Sequence, residues 1–490
     1  MLNSIIYFEE NCIKNFEELE DKFLREPTKF AEYIYGLTEE LHRLGLIMIQ
    51  EALEEMDQML QKSGVRRKSW TVESHISKTL TTSLGDVNFK KTLFKNKETG
   101  ECKYLLDHVL QLEPYQRLTE DAEAEMLKEA VQTSYQQGAE HTSLTSEVSR
   151  QTVKNKIHQL KFPPDDRIPE QKKRVDYLYL DADEDHVALQ FREKKGDITK
   201  AENGIKNNGL ITKLVYVYEG KENGDLQNER KVLVNPHYFC GVNNGEENLE
   251  FWDEIYAYLD RNYDLEHVKK IYLNADGGSW IKSGMRRIHG ITYVLDGFHL
   301  EKYLLKLTSH IPKKKRAPVL EELRKTIRSK TKNDFRQLVE EQKKEMPKWR
   351  NLQKVNDAAE YILSNWSAAR LRLKRKNGVL GSSTESHVSH ILSERMSSRP
   401  MGWSRTGAAK MSELRAYYFN GGDMLELVRF QKKELPEAAG LEQDILMSSQ
   451  IILSEKNRHE QIGKYVESIT HSIAIQKKKV VWFNPHIWGL

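Results

Sequence analysis

The stretch IYLNADGGSWIKSGMRRIHGITYVLDGFHLEKYLL, residues 271–305, decides the fold. Its first apolar run, 271–275, stops on Asp276 at a Gly277-Gly278 turn. A second run, 291–295, stops on Asp296 and enters a helix bearing His299. Apolar runs that end on a carboxylate predict a buried sheet with acids at its rim. In an open α/β sheet, that rim is where sites gather.

Working upstream, VDYLYLDADEDHVALQ (175–190) sets apolar Val175, Leu178 and Leu180 ahead of an acidic run. Its period of two puts Asp181 and Asp183 on one face, with both at the end of the strand. A turn over 204–209 leads to LITKLVYVYEG (210–220), which reads as a second strand, and KVLV (231–234) as a third. An amphipathic helix over 249–263 then leads into the opening strand. Three strands, a helix, a strand and further helices is the order of an RNase H-like α/β core, a mixed sheet with flanking helices. Residues 301–380 are basic, helical and glycine-free until Gly378, and predict an all-helical insertion. GVLGSSTESHVSHILSERMSSRPMGWS (378–404) then predicts a short helix from Glu385 to Arg395, with a helical tail from about 407. The apolar end VVWFNPHIWGL (480–490) is expected to dock onto the body.

Ahead of this core, residues 1–62 read as helical around one proline, Pro27. Leu37, Leu41, Leu44, Met48, Ala52, Met56 and Leu60 recur at spacings of three and four, the mark of a packing face or dimer seam. Residues 70–114 predict a meander of three short strands, turning at Gly85-Asp86 and Glu98-Thr99-Gly100. Next comes a helix from Thr119 to about Gln136, ending at Gly138. A short helix capped by Thr145 or Ser146 and a second opened by Ser149 would complete a helix-turn-helix cadence. That second helix would bury Val153 and Ile157 and present Arg150, Gln151, Lys154 and Asn155 to base edges or phosphates. The resulting segments are 1–64, 65–115, 116–162 (closed by Pro163-Pro164), 163–300, 301–380, 381–440 and 441–490.

Composition sets bounds rather than a partner. The 490 residues are 38% hydrophobic and 30% charged, too apolar and periodic for wholesale disorder, and the net charge is only +3. Basic runs at 66–68, 313–316, 370–376 and 477–479 read singly as solvated faces and together suit a polyanion. Cys12, Cys102 and Cys240 form no CxxC pair, which disfavours a zinc ribbon or disulfide framework. No window reaches the ~20 apolar residues of a membrane span. A cytoplasmic protein with no membrane partner is expected.

Phosphoryl transfer on DNA uses two metal ions roughly 3.5–4 Å apart, held by convergent carboxylates. Asp183 and Asp276 at neighbouring strand ends and Glu385 from a later helix fit that need. Each also has an ordinary reading, as a solvated acid, a turn-forming Asp and a helix N-terminal acid favoured by the dipole. Only their combination points to catalysis. Asp296 and His299 form a D-x-x-H that reads equally as an accessory site or as a capping pair.

YLYLDADEDHVALQ, IYLNADGGSWIK, YVLDGFHLEKYL and TESHVSHILSERMSSRPMGWS, in that order, resemble bacterial insertion-sequence transposases of the ISLre-two type, within the Mutator-related DDE transposases. The resemblance runs nearly end to end. It implies a triad of Asp183, Asp276 and Glu385, with Asp296 and His299 as the group's D-x-x-H and Asp181 as an accessory acid. Family members often carry Glu at position 181, which ranks Asp183 ahead of Asp181. Glu394 competes with Glu385, which follows the turn after the insertion. The implied activity is Mg²⁺-dependent cleavage at the element's terminal inverted repeats and strand transfer into target DNA, with Mn²⁺ as a possible substitute, by a homo-oligomer on DNA. The alternatives are an inactive sequence-specific DNA-binding protein and a metal-dependent nuclease without strand transfer.

Overall fold

In the computed structural model, the described residues are 2–165, 167–190, 209–224, 231–344, 352–375, 378–399, 401–433, 450, 452–453 and 456–457. They divide into two compact units, one of residues 1–126, 140–148 and the described residues from 432, the other of 127–139 and 149–431.

In the first unit, helical segments begin the chain, and Phe30–Lys62 is the longest. The helix breaks at Pro27, where proline removes a backbone donor. A three-stranded antiparallel sheet follows, β1 (Trp70–Thr81), β2 (Asp86–Asn96) and β3 (Cys102–Lys103). Both expected turns are in place, although β1 and β2 are long rather than short. Leu60, Trp70, Phe89, Phe94 and Leu105 form a buried core between helix and sheet.

The next prediction fails in part. The helix expected to reach Gln136 stops at Gln132, and Gly138 lies inside a separate helix, Tyr135–Glu140. No helix forms at Thr145 or Ser146. That segment packs on the β1–β2 turn instead: the Leu144 amide donates to the Ser83 carbonyl, and Thr145 packs over Gly85, whose φ is +155°. The helix-turn-helix cadence is therefore not formed, although Ser149 does cap Arg150–Gln159 through the Thr152 amide.

The second unit is built on a five-stranded mixed sheet. Its strands are β4 (Tyr177–Ala188), β5 (Gly209–Tyr218), β8 (His237–Gly241), β9 (Lys270–Ala275) and β10 (Ile291–Leu295), in the order β10-β9-β4-β5-β8. β5 is antiparallel to β4 and β8, whereas β4, β9 and β10 run parallel. The expected third strand, 231–234, belongs elsewhere: as β7 (Lys231–Val234) it pairs only with β6 (Gly220–Asn223) in a ribbon. HYFCG takes its place in the sheet. The acids of β4 also lie inside a twelve-residue strand rather than at its end. Residues 204–208 of the expected turn, and 480–490, fall outside the described residues.

Alternation gives the sheet two unlike faces. Leu178, Leu180, Ala182, Val215, Val217, Leu273 and Ala275 pack on Phe251, Trp252, Ile255 and Leu259 of the Glu247–Asn262 helix. The other face carries Tyr177, Tyr272, Tyr179, Tyr218, Tyr216 and Tyr238, neighbouring ring centroids 5.3–6.1 Å apart. Between β10 and the last helices, Gly297–Leu307, Lys313–Ser329, Lys332–Lys344, Leu352–Ser364 and Trp366–Lys374 build a separate apolar core around Leu304, Leu323, Phe335 and Ile362. Among the described residues no helix is long and apolar enough to cross a membrane.

Candidate active site

The parallel register assembles the site. Ala182 pairs with Ala275, and Ala275 with Leu295. One residue further along each strand stand Asp183, Asp276 and Asp296, in one row across three strands spaced about 4.8 Å apart. Asp276 is held at its turn: its Oδ1 accepts from the Gly278 amide at 2.8 Å, and its carbonyl from Tyr361 Oη at 2.6 Å. Gly277 has φ +88°, and a Cβ there would lie 2.6 Å from Tyr293 Oη and 2.8 Å from Asn365 Oδ1. Only glycine meets both demands.

Asp183 is 9% exposed, and its Oδ1 accepts from the Glu184 amide at 2.9 Å. Burial pushes its carboxyl up to about 7; the Glu184 amide and the charge of His299 oppose that rise, and the charges of Asp276 and Glu385 add to it. Two sequence-predicted acids, one from a neighbouring strand and one from a helix 202 residues later, thus bear on a third. Glu385 is exposed, in the first turn of Thr384–Val388, and a π-helical turn continues that helix to Glu394–Met396. Glu394 pairs with His390 at 3.2 Å on an exposed face.

Asp296 caps the Gly297–Leu307 helix, accepting from the His299 amide at 3.0 Å, and its Oδ2 lies 3.1 Å from His299 Nδ1. Burial would raise this carboxyl, but hydrogen bonds from His299 and Ser382 outweigh it and hold it at about 2. Burial would lower His299; its bond to Asp296 and the charges of Asp183, Asp296 and Asp276 outweigh that and raise it. Through Asp296 the row thus ends against a His299 ring biased towards its protonated form.

Asp181 sits two residues behind the row and is fully buried. Its Oδ1 accepts from Asn274 Nδ2 (2.6 Å) and Tyr218 Oη (3.1 Å), and its Oδ2 from Tyr216 Oη (2.7 Å) and the Ser383 amide (3.2 Å). Sequence reasoning missed these partners. The period-two VYVY of β5 carries the one legible signal, since it aims Tyr216 and Tyr218 at the face that holds Asp181.

Arg150, Gln151 and Asn155 are exposed and Lys154 half-buried on a helix whose Val153 and Ile157 are buried. Gln151 Nε2 donates to Asn155 Oδ1 at 2.8 Å, so one predicted contact pair is occupied internally. The structure does not bring this face to the acid row by any contact among the described residues. For a metal, the donor set fits in kind: Asp183, Asp276 and Glu385 offer hard carboxylate oxygens, and the charges of the latter two bear on Asp183. Among the described residues no three His, Cys, Asp or Glu side chains already stand at metal-binding distance.

Three curated relatives and one solved structure illustrate what the chain is similar to. A UPF0236 protein of Caldanaerobacter subterraneus subsp. tengcongensis is 32% identical over 435 residues, covering 89% of this chain and 86% of the relative. Another relative from that organism, also 32% identical over 435 residues, has a name that joins eleven locus designations. A UPF0236 protein in the vanSb 3′ region of Streptococcus gallolyticus is 23% identical over 389 residues, or 76% of this chain and 79% of the relative. The Drosophila P element transposase strand transfer complex matches 64% of this chain and 81% of that one with a TM-score of 0.24 and 11% identity, a likeness too slight to carry an argument. The model of the uncharacterised protein family UPF0236 matches residues 23–434, and the chain belongs to that family.

Proposed function

We propose that this protein is a DDE-type DNA transposase that binds the terminal inverted repeats of its own insertion sequence, cleaves strands there and joins them to target DNA. The observation that carries the reading is the row of Asp183 and Asp276 on adjacent parallel strands, with Glu385 acting on Asp183 from the helix after the insertion. We read the 3-2-1-4-5 order of the sheet, with its second strand antiparallel, as an RNase H-like core. A relative found under eleven locus designations in one genome also suits an element that copies or moves itself.

Mg²⁺, or Mn²⁺ in its place, would be held by Asp183, Asp276 and Glu385, and when bound would stabilise the attacking and leaving oxygens of an in-line displacement. The chain's own contribution is to hold the acids together, with Asp183 buried and near the charges of Asp276 and Glu385, so that it resists ionisation. His299, biased towards its protonated form, stands against Asp296 at the end of the row. DNA is the partner in this reading.

The test uses full-length protein, Mg²⁺ and a DNA carrying the element's ends with a target plasmid. Cut ends that appear joined to the plasmid are expected. Cutting without joining would replace the transposase with a nuclease. Binding without cutting under either metal would leave a DNA-binding regulator.

A further inference from the structure

The alternating aspartates of β4 do different work. Asp183, the middle one, faces the charges of Asp276 and Glu385. Asp181 and Asp185, on either side and on the same face, both bind the helix that carries Glu385. Asp185 Oδ2 accepts from Ser397 Oγ at 2.6 Å, just past the end of that helix. Asp181 holds its start, accepting from the Ser383 amide and from Thr384 Oγ1 (3.4 Å).

The segment leading to Glu385 is tethered almost residue by residue. Tyr179 Oη donates to the Gly378 carbonyl (2.7 Å), Arg372 Nη1 to Leu380 (2.9 Å) and Lys221 Nζ to Gly381 (2.6 Å). Ser382 bonds Asp296, and Ser383 Oγ meets Lys221 Nζ at 3.2 Å. Asp181 is the hub of this set, because Tyr216 Oη bonds both its carboxylate (2.7 Å) and Ser383 Oγ (3.4 Å). A carboxylate has about four acceptor sites, and those of Asp181 meet five donors with no exposure to solvent. Nothing is left over for a metal or a phosphate.

We propose that Asp181 is a positioning residue: a buried carboxylate that latches the 378–384 segment onto the sheet and thereby sets Glu385 within reach of Asp183, without itself contacting metal or DNA. The proposal rests on the reading of these acids as metal ligands, and it splits a motif whose aspartates look interchangeable into one ligand and two anchors.

The experiment is a double-mutant cycle on the full chain, read as Mn²⁺ affinity by electron paramagnetic resonance, with amide exchange of residues 381–386 measured without metal. Tyr216→Phe with Tyr218→Phe strips two donors from Asp181 and leaves all three proposed ligands. We expect it to weaken Mn²⁺ binding several-fold, as Glu385→Gln does, and the combination to be no weaker than Glu385→Gln alone, because both act through Glu385. Exchange across 381–386 should accelerate about tenfold or more. Thr384→Val, which removes one donor, should move both readouts in the same direction if the double variant does not fold. Losses that multiply in the cycle, or exchange and affinity unchanged from wild type, would overturn the latch. Wild-type protein that binds no Mn²⁺ would remove the metal reading itself; the latch would then stand or fall on whether exchange accelerates.

Discussion

At the scale of single residues, Gly277 shows how little freedom surrounds Asp276. Gly277→Ala adds a left-handed backbone penalty of about 1–2 kcal/mol to a collision with Tyr293 and Asn365. Gly290→Ala supplies the control, since Gly290 has φ +76° and open space where its Cβ would go. Urea unfolding should show Gly277→Ala as the more destabilising of the two, and equal losses would mean that the close approach around the turn relaxes freely. The strand end at Asp276 was legible in the sequence, because an apolar run that stops on a carboxylate at a glycine turn marks where a buried strand ends; Asp183 instead lies within its strand. The part Asp181 plays was not legible. Its partners Tyr216, Asn274 and Ser383 lie 35, 93 and 202 residues away, and no local pattern announces a hydrogen bond across such distances. Nor could spacing tell Glu385 from Glu394; in the folded helix Glu394 pairs with His390, which favours Glu385 as the proposed ligand.

Among the elements, β8 is the one the sequence hid. KVLV has the apolar continuity of a sheet strand, yet it pairs in the β6–β7 ribbon, and the mixed HYFCG sits at the sheet edge because the Arg405–Phe419 helix covers it. His237 opens that strand with its ring stacked on Tyr258, centroids 4.1 Å apart. Burial pushes it down to about 4, with Asp165 opposing and Arg261 assisting. The native state thus refuses a proton that the unfolded chain accepts below about 6.5. Its contribution is fully present above that pH, falls as pH drops towards 4 and is flat below, amounting to at most about 3 kcal/mol. His237→Phe keeps the stacking and removes the titration. Wild type should lose unfolding free energy relative to the variant as pH falls from 7 to 4, and a constant difference would place the titration elsewhere. The missing helix at 145 has a similar lesson: capping residues were present, but tertiary pairing with the β1–β2 turn used them first.

For the whole molecule, the sequence order of strands and helices predicted a mixed sheet followed by helices, and the mixed sheet is what forms. The grouping of 149–159 with the sheet unit, and of 140–148 with the other, was not legible, since it depends on contacts rather than on composition. The exposed face of Arg150–Gln159 remains the place where we expect DNA to be met. Arg150→Ala and Lys154→Ala should each weaken binding to the element ends and lower the salt slope by about one. Unchanged affinity in both would move DNA contact to another basic surface.

The central claim is that three particular carboxylates cut DNA, and one measurement addresses it directly: single-turnover strand cleavage of element-end DNA in Mg²⁺ by Asp183→Asn, Asp276→Asn, Glu385→Gln and Glu394→Gln. Loss of a metal ligand costs several kcal/mol of transition-state stabilisation, about a thousandfold in rate. The first three variants should bind the ends and cut at least that much more slowly, with Glu394→Gln close to wild type. Wild-type cutting by Asp276→Asn, or a dead Glu394→Gln beside an active Glu385→Gln, would contradict the account.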